Sequence, residues 1–178
     1  ALISLSAFAV ATLGLQVGAF QGFRQRTADG LFPAGTTDNR VAVVGIDARS
    51  LEVLGQPWPW PRGVQAQLIQ GVADAGARVI VDDVLLAPPR SGDDDLASAM
   101  RRGVPVIVAS SSGLQPDPDG ILLRTVAQTD PAPLIARAAA VVAHASVTPD
   151  PDDGVVRSLP LVVEDSRGHL IPSLALAA

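Results

Sequence analysis

The chain has 178 residues, 13 basic against 18 acidic for a net charge of −5, and no cysteine. That length holds one domain with a sizeable core rather than two. The acidic balance speaks against a nucleic-acid surface, which needs a clustered basic face, and the lack of cysteine excludes disulfides, thiolate zinc sites and thiol catalysis.

Residues 1–23, ALISLSAFAVATLGLQVGAFQGF, carry no charge and end just before Arg24 and Arg26. At about 1.5 Å per residue they would span roughly 34 Å, enough for a bilayer core of about 30 Å. Ser4, Ala7, Ala11, Gly14, Gly18 and Gly22 recur at helical spacing on one face, and such a small-residue stripe lets a second backbone approach closely. A transmembrane helix that dimerises through Gly14, Gly18 and Gly22 fits this pattern. So do a long helix packed in a soluble core and an uncleaved signal peptide.

After a turn-rich loop at 32–40, VAVVGID (41–47) reads as a buried strand ending in Asp47. RSLEVLG (49–55) reads as a short helix stopped by Gly55, and 63–76 as an amphipathic helix ended by Gly76. ARVIVDDVLL (77–86) is the second expected strand. Residues 93–103 form an expected helix with an acidic first turn and a basic last turn. A third strand is expected over 104–110, a loop over 113–120, a proline-opened helix over 131–140 and a fourth strand over 141–147. The tail, 154–178, reads as a strand, a polar turn around EDSRGH, and a second strand or the start of an apolar helix. Alternating strands and helices predict an α/β fold with a mostly parallel or mixed sheet, helices on both faces and a long N-terminal helix in front.

Both tryptophans lie in GQPWPWPR (55–62). Proline fixes φ, so the stretch is expected to be stiff and extended, with Trp58 and Trp60 pointing the same way. Two readings stand open. In one the loop is a clamp, with the indoles capping the core and Arg62 paired to Asp47 or Asp83. In the other it is the wall of a ligand site, with Arg62 holding an anion. Ligands in open parallel sheets bind outside the carboxyl ends of the strands, where Asp47 and Asp83 are expected. The candidate ligand-binding set is therefore Asp47, Trp58, Trp60, Arg62 and Asp83. Asp82 alternates to the other face of its strand. Asp93–Asp95 read as a solvated helix start and DPDDG (150–154) as a hairpin turn. His144 and His169 have no nucleophile or metal partner at useful spacing. No catalytic constellation, phosphate loop or metal motif is found, and no cofactor is expected.

Several stretches together resemble one family. VGIDARSLEVLGQPWPWPR resembles a strand ending in Asp, then Ser-Leu, Gly and Trp-Pro-x-x-Arg. AGARVIVDDVLL, DDDLASAM, and DDGVVR followed by IPSLALA resemble its later strand, helix, hairpin and closing-helix entry. The family is the second type of CHASE sensor domain. The matching positions are Asp29, Asp47, Ser50, Leu51, Gly55, Trp58, Pro59, Arg62, Asp83, Asp93, Gly154 and Arg157; where the family has an aromatic after the Asp83 strand, this chain has Leu86. The resemblance implies an extracytoplasmic sensory domain (24–171) at the cell membrane, between a membrane helix (1–23) and the start of a second membrane-directed helix (172–178). It implies a cytoplasmic effector, most readily a nucleotide cyclase, with a histidine or serine/threonine kinase as the other choice; a homodimer is expected from the glycine stripe, and an unidentified small-molecule ligand from the loop and strand-end residues. The chain opens on Ala and closes on SLALAA, which reads as an excerpt that is not itself an enzyme. The alternatives are a ligand-free dimerisation scaffold and, more remotely, a metal-dependent hydrolase built on Asp47, Asp82 and Asp83.

Overall fold

The computed structural model describes residues 35, 38–117, 119, 121–150 and 153–178. The expected helix over 1–23, its glycines Gly14, Gly18 and Gly22, and Asp29 lie outside them. Among the described residues no helix is long and apolar enough to cross a membrane. The chain divides into two units, residues 1–46 and 47–178.

In the first unit the Asp38 carboxylate grips the Arg40 guanidinium at 2.6 Å, and Val41 N donates to Asp38 O across a turn. Residues 41–46 form neither helix nor strand, so the strand expected over 41–47 is absent. An apolar run becomes a strand only where a neighbour takes its backbone groups. This run has no ladder partner among the described residues, and Val41, Val43 and Val44 are exposed.

The second unit begins with α1 (Ala48–Leu54), capped at its start by Asp47. The Asp47 carboxylate accepts from Ser50 N and Ser50 Oγ, both at 2.8 Å, while Ser50 Oγ accepts from Asp47 N. This reciprocal box satisfies donors that would otherwise be orphaned at the helix start. Two helices, α2 (Arg62–Asp74) and α3 (Asp93–Arg102), pack against each other. Ala66 and Ile69 of α2 and Leu96, Ala97 and Met100 of α3 bury one apolar face each. They meet Ile80 of β1 (Ile80–Asp82), Val106 and Val108 of β2 (Val106–Pro116) and Ile135 of α4 (Pro133–Ala138). A side-chain period of two puts Val106 and Val108 on this helix-covered face of β2.

β2 belongs to two pairings. Its first half lies parallel between β1 and β4 (Val141–His144), with Ile80 opposite Val106 and Ser110 opposite His144. Its second half pairs antiparallel with β3 (Leu123–Thr129) after a register shift between Ser111 and Gly113. A Cβ at Gly113 would lie 2.8 Å from Val126 Cγ2 of β3, so any side chain there would force Val126 to shift. β3 meets β5 (Val162–Glu164) through the single parallel pair Arg124 and Glu164, and β5 turns back into β6 (Leu170–Pro172). Ser173, directly after β6, bridges in parallel to His144 and caps α5 (Leu174–Ala177). The sheet is therefore mixed and six-stranded, in an α/β fold.

Two expectations change in this sheet. Residues 113–116, expected in a loop, extend β2, and β3 has no counterpart in the sequence reading. The strand expected over 77–86 shrinks to β1, because Leu86 turns off into the core, where it is fully buried and its carbonyl accepts from Ala132 N.

His144 sits at the seam where Ser173 closes onto β4. It is 1% exposed, and neither ring nitrogen makes a hydrogen bond of sound geometry among the described residues. Burial pushes its pKa below the ordinary imidazole value, and nearby backbone at Ser146 and Pro160 pulls it partly back. The unfolded chain therefore binds this proton more readily than the folded one. The stability His144 contributes is present above the unfolded pKa of about 6.5 and is lost as the pH falls through the folded value. Thermal unfolding followed from pH 7.5 to pH 5 is expected to show the wild type losing stability relative to His144→Leu below about pH 6.5. Parallel curves for the two proteins would refute this.

Candidate functional site

The stretch from Gln56 to Pro61 enters α2, and its two indoles part company. Trp60 is 5% exposed and its Nε1 donates to Gln56 O at 3.2 Å, whereas Trp58 is 43% exposed. Their rings meet edge to face, centroids 5.6 Å apart at 67°. That geometry suits the positive edge of one ring and the negative face of the other. The Trp58–Pro59 and Ala87–Pro88 peptide bonds are cis. The stretch is thus a clamp at Trp60 and a surface at Trp58.

Arg62 opens α2 and is 4% exposed. Its Nε donates to Asp93 Oδ1 at 2.8 Å, one terminal nitrogen donates to Gln65 Oε1 at 3.0 Å, and the other reaches Pro88 O at 3.3 Å. The second Asp93 oxygen accepts from Arg90 N at 3.0 Å. The expected pairing of Arg62 with Asp47 or Asp83 is therefore corrected: its partner is Asp93, 31 positions along the chain. Asp93, read as part of a solvated helix start, is 7% exposed; Asp94 and Asp95 are exposed. Gly92 makes the junction feasible. It adopts φ +87°, and a Cβ there would stand 3.0 Å from Arg62 Cβ.

Beside Arg62 lies a partly open cleft of about 400 Å³. Trp58 and Pro59 line it from the loop before α2, Arg62 and Gln65 from α2 itself, and Val84, Leu85 and Ala87 from the segment after β1. Asp83 and Arg90 add one charge of each sign. The cleft lies beyond the carboxyl end of β1, a parallel strand of the sheet, where such folds offer room for ligands. Of the five candidate residues, Trp58, Arg62 and Asp83 come together here. Trp60 stands behind Trp58 in the core, and Asp47 is occupied in the α1 capping box. Gln65, Arg90 and the partner role of Asp93 were missed. A buried arginine fork demands acceptors, but its partners cannot be chosen from sequence spacing.

Asp82, next to the cleft-lining Asp83, has its pKa pushed up to about 6, mainly by burial. The Val84 backbone N–H at 3.2 Å and the Arg62 charge work the other way, and the Asp83 charge adds to the rise. Among the described residues no three His, Asp or Glu side chains converge as metal ligands. Asp47, apart from Asp82 and Asp83 in its own cap, removes the support for the hydrolase reading.

The CHASE2 domain profile matches residues 5–178. This chain belongs to the CHASE2 family. CHASE2 domains are extracytoplasmic sensory domains of signalling proteins, and sensing rather than catalysis is their part in them. No curated protein and no solved structure matches the chain. Two positions that carried the resemblance, Arg62 and Asp93, are joined by the structure in one buried ion pair. The position of the family's aromatic, Leu86, is core rather than cleft wall.

Removing one member of a buried pair strands the other charge, at a cost of about 3–5 kcal/mol. Arg62→Met is expected to destabilise the domain by that order in chemical denaturation, and adding Asp93→Leu to return part of the loss. Gly92→Ala is expected to cost about 1–2 kcal/mol for the left-handed backbone alone, with more from its contact to Arg62. A double variant no more stable than Arg62→Met would show that the pair's charge balance is not what matters.

Proposed function

We propose that this domain is the sensing part of a membrane-anchored nucleotide cyclase receptor. A small molecule entering the Trp58 cleft would change how two copies of the receptor pack their membrane helices. The observation that carries the reading is the cleft itself. A large indole stays 43% exposed beside apolar side chains and unlike charges, at the carboxyl end of a parallel strand. An aromatic surface held open by a buried ion pair beneath it is suited to contact a ligand. Homodimer contact through Gly14, Gly18 and Gly22, and a cyclase rather than a kinase as effector, belong to this proposal. Both rest on the sequence pattern and the family resemblance. A ligand needs different affinity for two arrangements of the receptor to move it between them.

The two tryptophans separate sensing from folding. Trp60→Ala removes a buried indole and is expected to cost about 3–5 kcal/mol of stability. Trp58→Ala removes a half-exposed one and is expected to cost about 1 kcal/mol or less. In membranes carrying the full-length receptor, cyclic-nucleotide output is measured across a metabolite panel. Trp58→Ala is expected to abolish the response to the active compound while leaving basal output intact. Wild-type responses from Trp58→Ala would remove the cleft from sensing and favour a ligand-free scaffold. Phosphotransfer in place of cyclic-nucleotide output would replace the cyclase with a kinase.

A further inference from the structure

We infer that the Trp58 cleft takes a small zwitterion with an apolar body, of the amino-acid class. Its ammonium would meet Asp83 and the Trp58 ring face, and its carboxylate would meet Arg90. The inference rests on the sensor reading above and names the ligand class of that site.

Three charged side chains line the cleft: Arg62, Asp83 and Arg90. Arg62 is 4% exposed and directs three of its five N–H donors inward, to Asp93, Gln65 and Pro88 O, so the exposed charges of the cleft are Asp83 and Arg90. The Arg62 charge is thereby balanced by Asp93 within the fold. The side chains of Asp83 and Arg90 have no hydrogen bond or ion pair with any described residue; only the backbone of Arg90 is engaged, with Asp93. Two opposite charges therefore line one cleft without pairing to each other. A purely anionic ligand would leave Asp83 facing like charge, and a purely cationic one would do the same to Arg90. A zwitterion satisfies both, and the exposed indole adds a cation-binding face beside the carboxylate. The remaining lining, Pro59, Val84, Leu85 and Ala87, is apolar and suits an aliphatic or aromatic body. A volume of about 400 Å³ is near the small end of ligand pockets, which run from about 300 to 1,000 Å³. That size fits an amino acid or a short peptide better than a nucleotide or a lipid.

The test compares three probes of one shape on the purified chain: L-leucine, leucinamide, which lacks the carboxylate, and 4-methylpentanoate, which lacks the ammonium. Binding is read by calorimetry and by indole emission. Leucine is expected to bind about tenfold or more tighter than either analogue. Asp83→Asn and Arg90→Gln are each expected to weaken leucine by about tenfold without lowering the melting temperature, since both side chains are exposed and unpartnered. Arg90→Gln is expected to leave leucinamide binding unchanged or improved. The zwitterion assignment is overturned if leucine binds no better than its analogues, if both variants bind it like wild type, or if it fails to bind up to about 10 mM. Its failure is distinguishable from failure of the sensor reading. If other metabolites still shift the emission and Trp58→Ala abolishes the receptor's response to them, only the ligand class falls. If Trp58→Ala leaves the receptor's responses at wild-type level, both fall.

Discussion

The buried ion pair between Arg62 and Asp93 is the constraint on which this part of the domain is built. It joins the first residue of α2 to the first residue of α3 at 2.8 Å with both partners nearly sealed from water. Two charges in such a place are tolerable only if their remaining hydrogen-bonding capacity is filled. Here Gln65 and Pro88 O take two further guanidinium donors, and Arg90 N gives one to the second carboxylate oxygen. Each of those groups is thereby fixed as well. Pro88 and Arg90 belong to the segment that runs from the end of β1 to α3, so the pair sets the path of one side of the cleft. Gln65 and Arg62 set the other side from α2. Gly92 permits the approach that a side chain would obstruct. The carboxylate also stands at a helix start, where negative charge is favoured by the peptide dipoles.

The same constraint explains the unequal fates of the tryptophans. Arg62 begins α2 only two residues after Trp60, so fixing the arginine fixes where Trp60 can go. Trp60 is buried, with its one polar atom satisfied by Gln56 O. Trp58 packs against it edge to face and leaves the rest of its surface to the cleft. A clamp and a ligand wall are thus two ends of one proline-rich stretch rather than rival readings of it. The stability of the first end lets the second remain exposed without collapsing into the core.

Much of the helical part was legible because its signals are local. Gly55 as the stop of α1 and the acidic and basic ends of α3 are decided within a few residues, whereas the Asp47 cap was hidden by reading Asp47 as a strand end. The sheet was less legible, because strands are decided by partners elsewhere in the chain. GLQP carries turn-forming residues, yet β3 draws it into β2, with Gly113 spared a clash against Val126. VAVVGI has the composition of a buried strand and no partner among the described residues. The candidate site shows the same division. Trp58, Arg62 and Asp83 were legible from a proline-locked loop and a strand end. The choice of Asp93 over Asp47 and Asp83 was not, because it depends on where α3 begins relative to α2.

In the proposed sensor, a ligand in the cleft would lie a short strand ladder away from α5. β1 leads directly into Asp83 and pairs with β2, with Ile80 opposite Val106 and Asp82 opposite Val108. Two residues further along β2, Ser110 stands opposite His144, and His144 bridges to Ser173, the cap of α5. A shift of β1 would bear on β2 and, through it, on β4. The joint least able to resist is the last one. It rests on a single bridge beside a fully buried imidazole whose ring nitrogens make no hydrogen bond of sound geometry among the described residues. Buried polar groups left unsatisfied lower the cost of opening the contact that covers them, because opening restores their hydration. Coupling between two sites requires an element with two arrangements of comparable energy. Opening the Ser173 seam would expose an imidazole, whereas every exchange of partners at the Arg62–Asp93 pair would expose a charge.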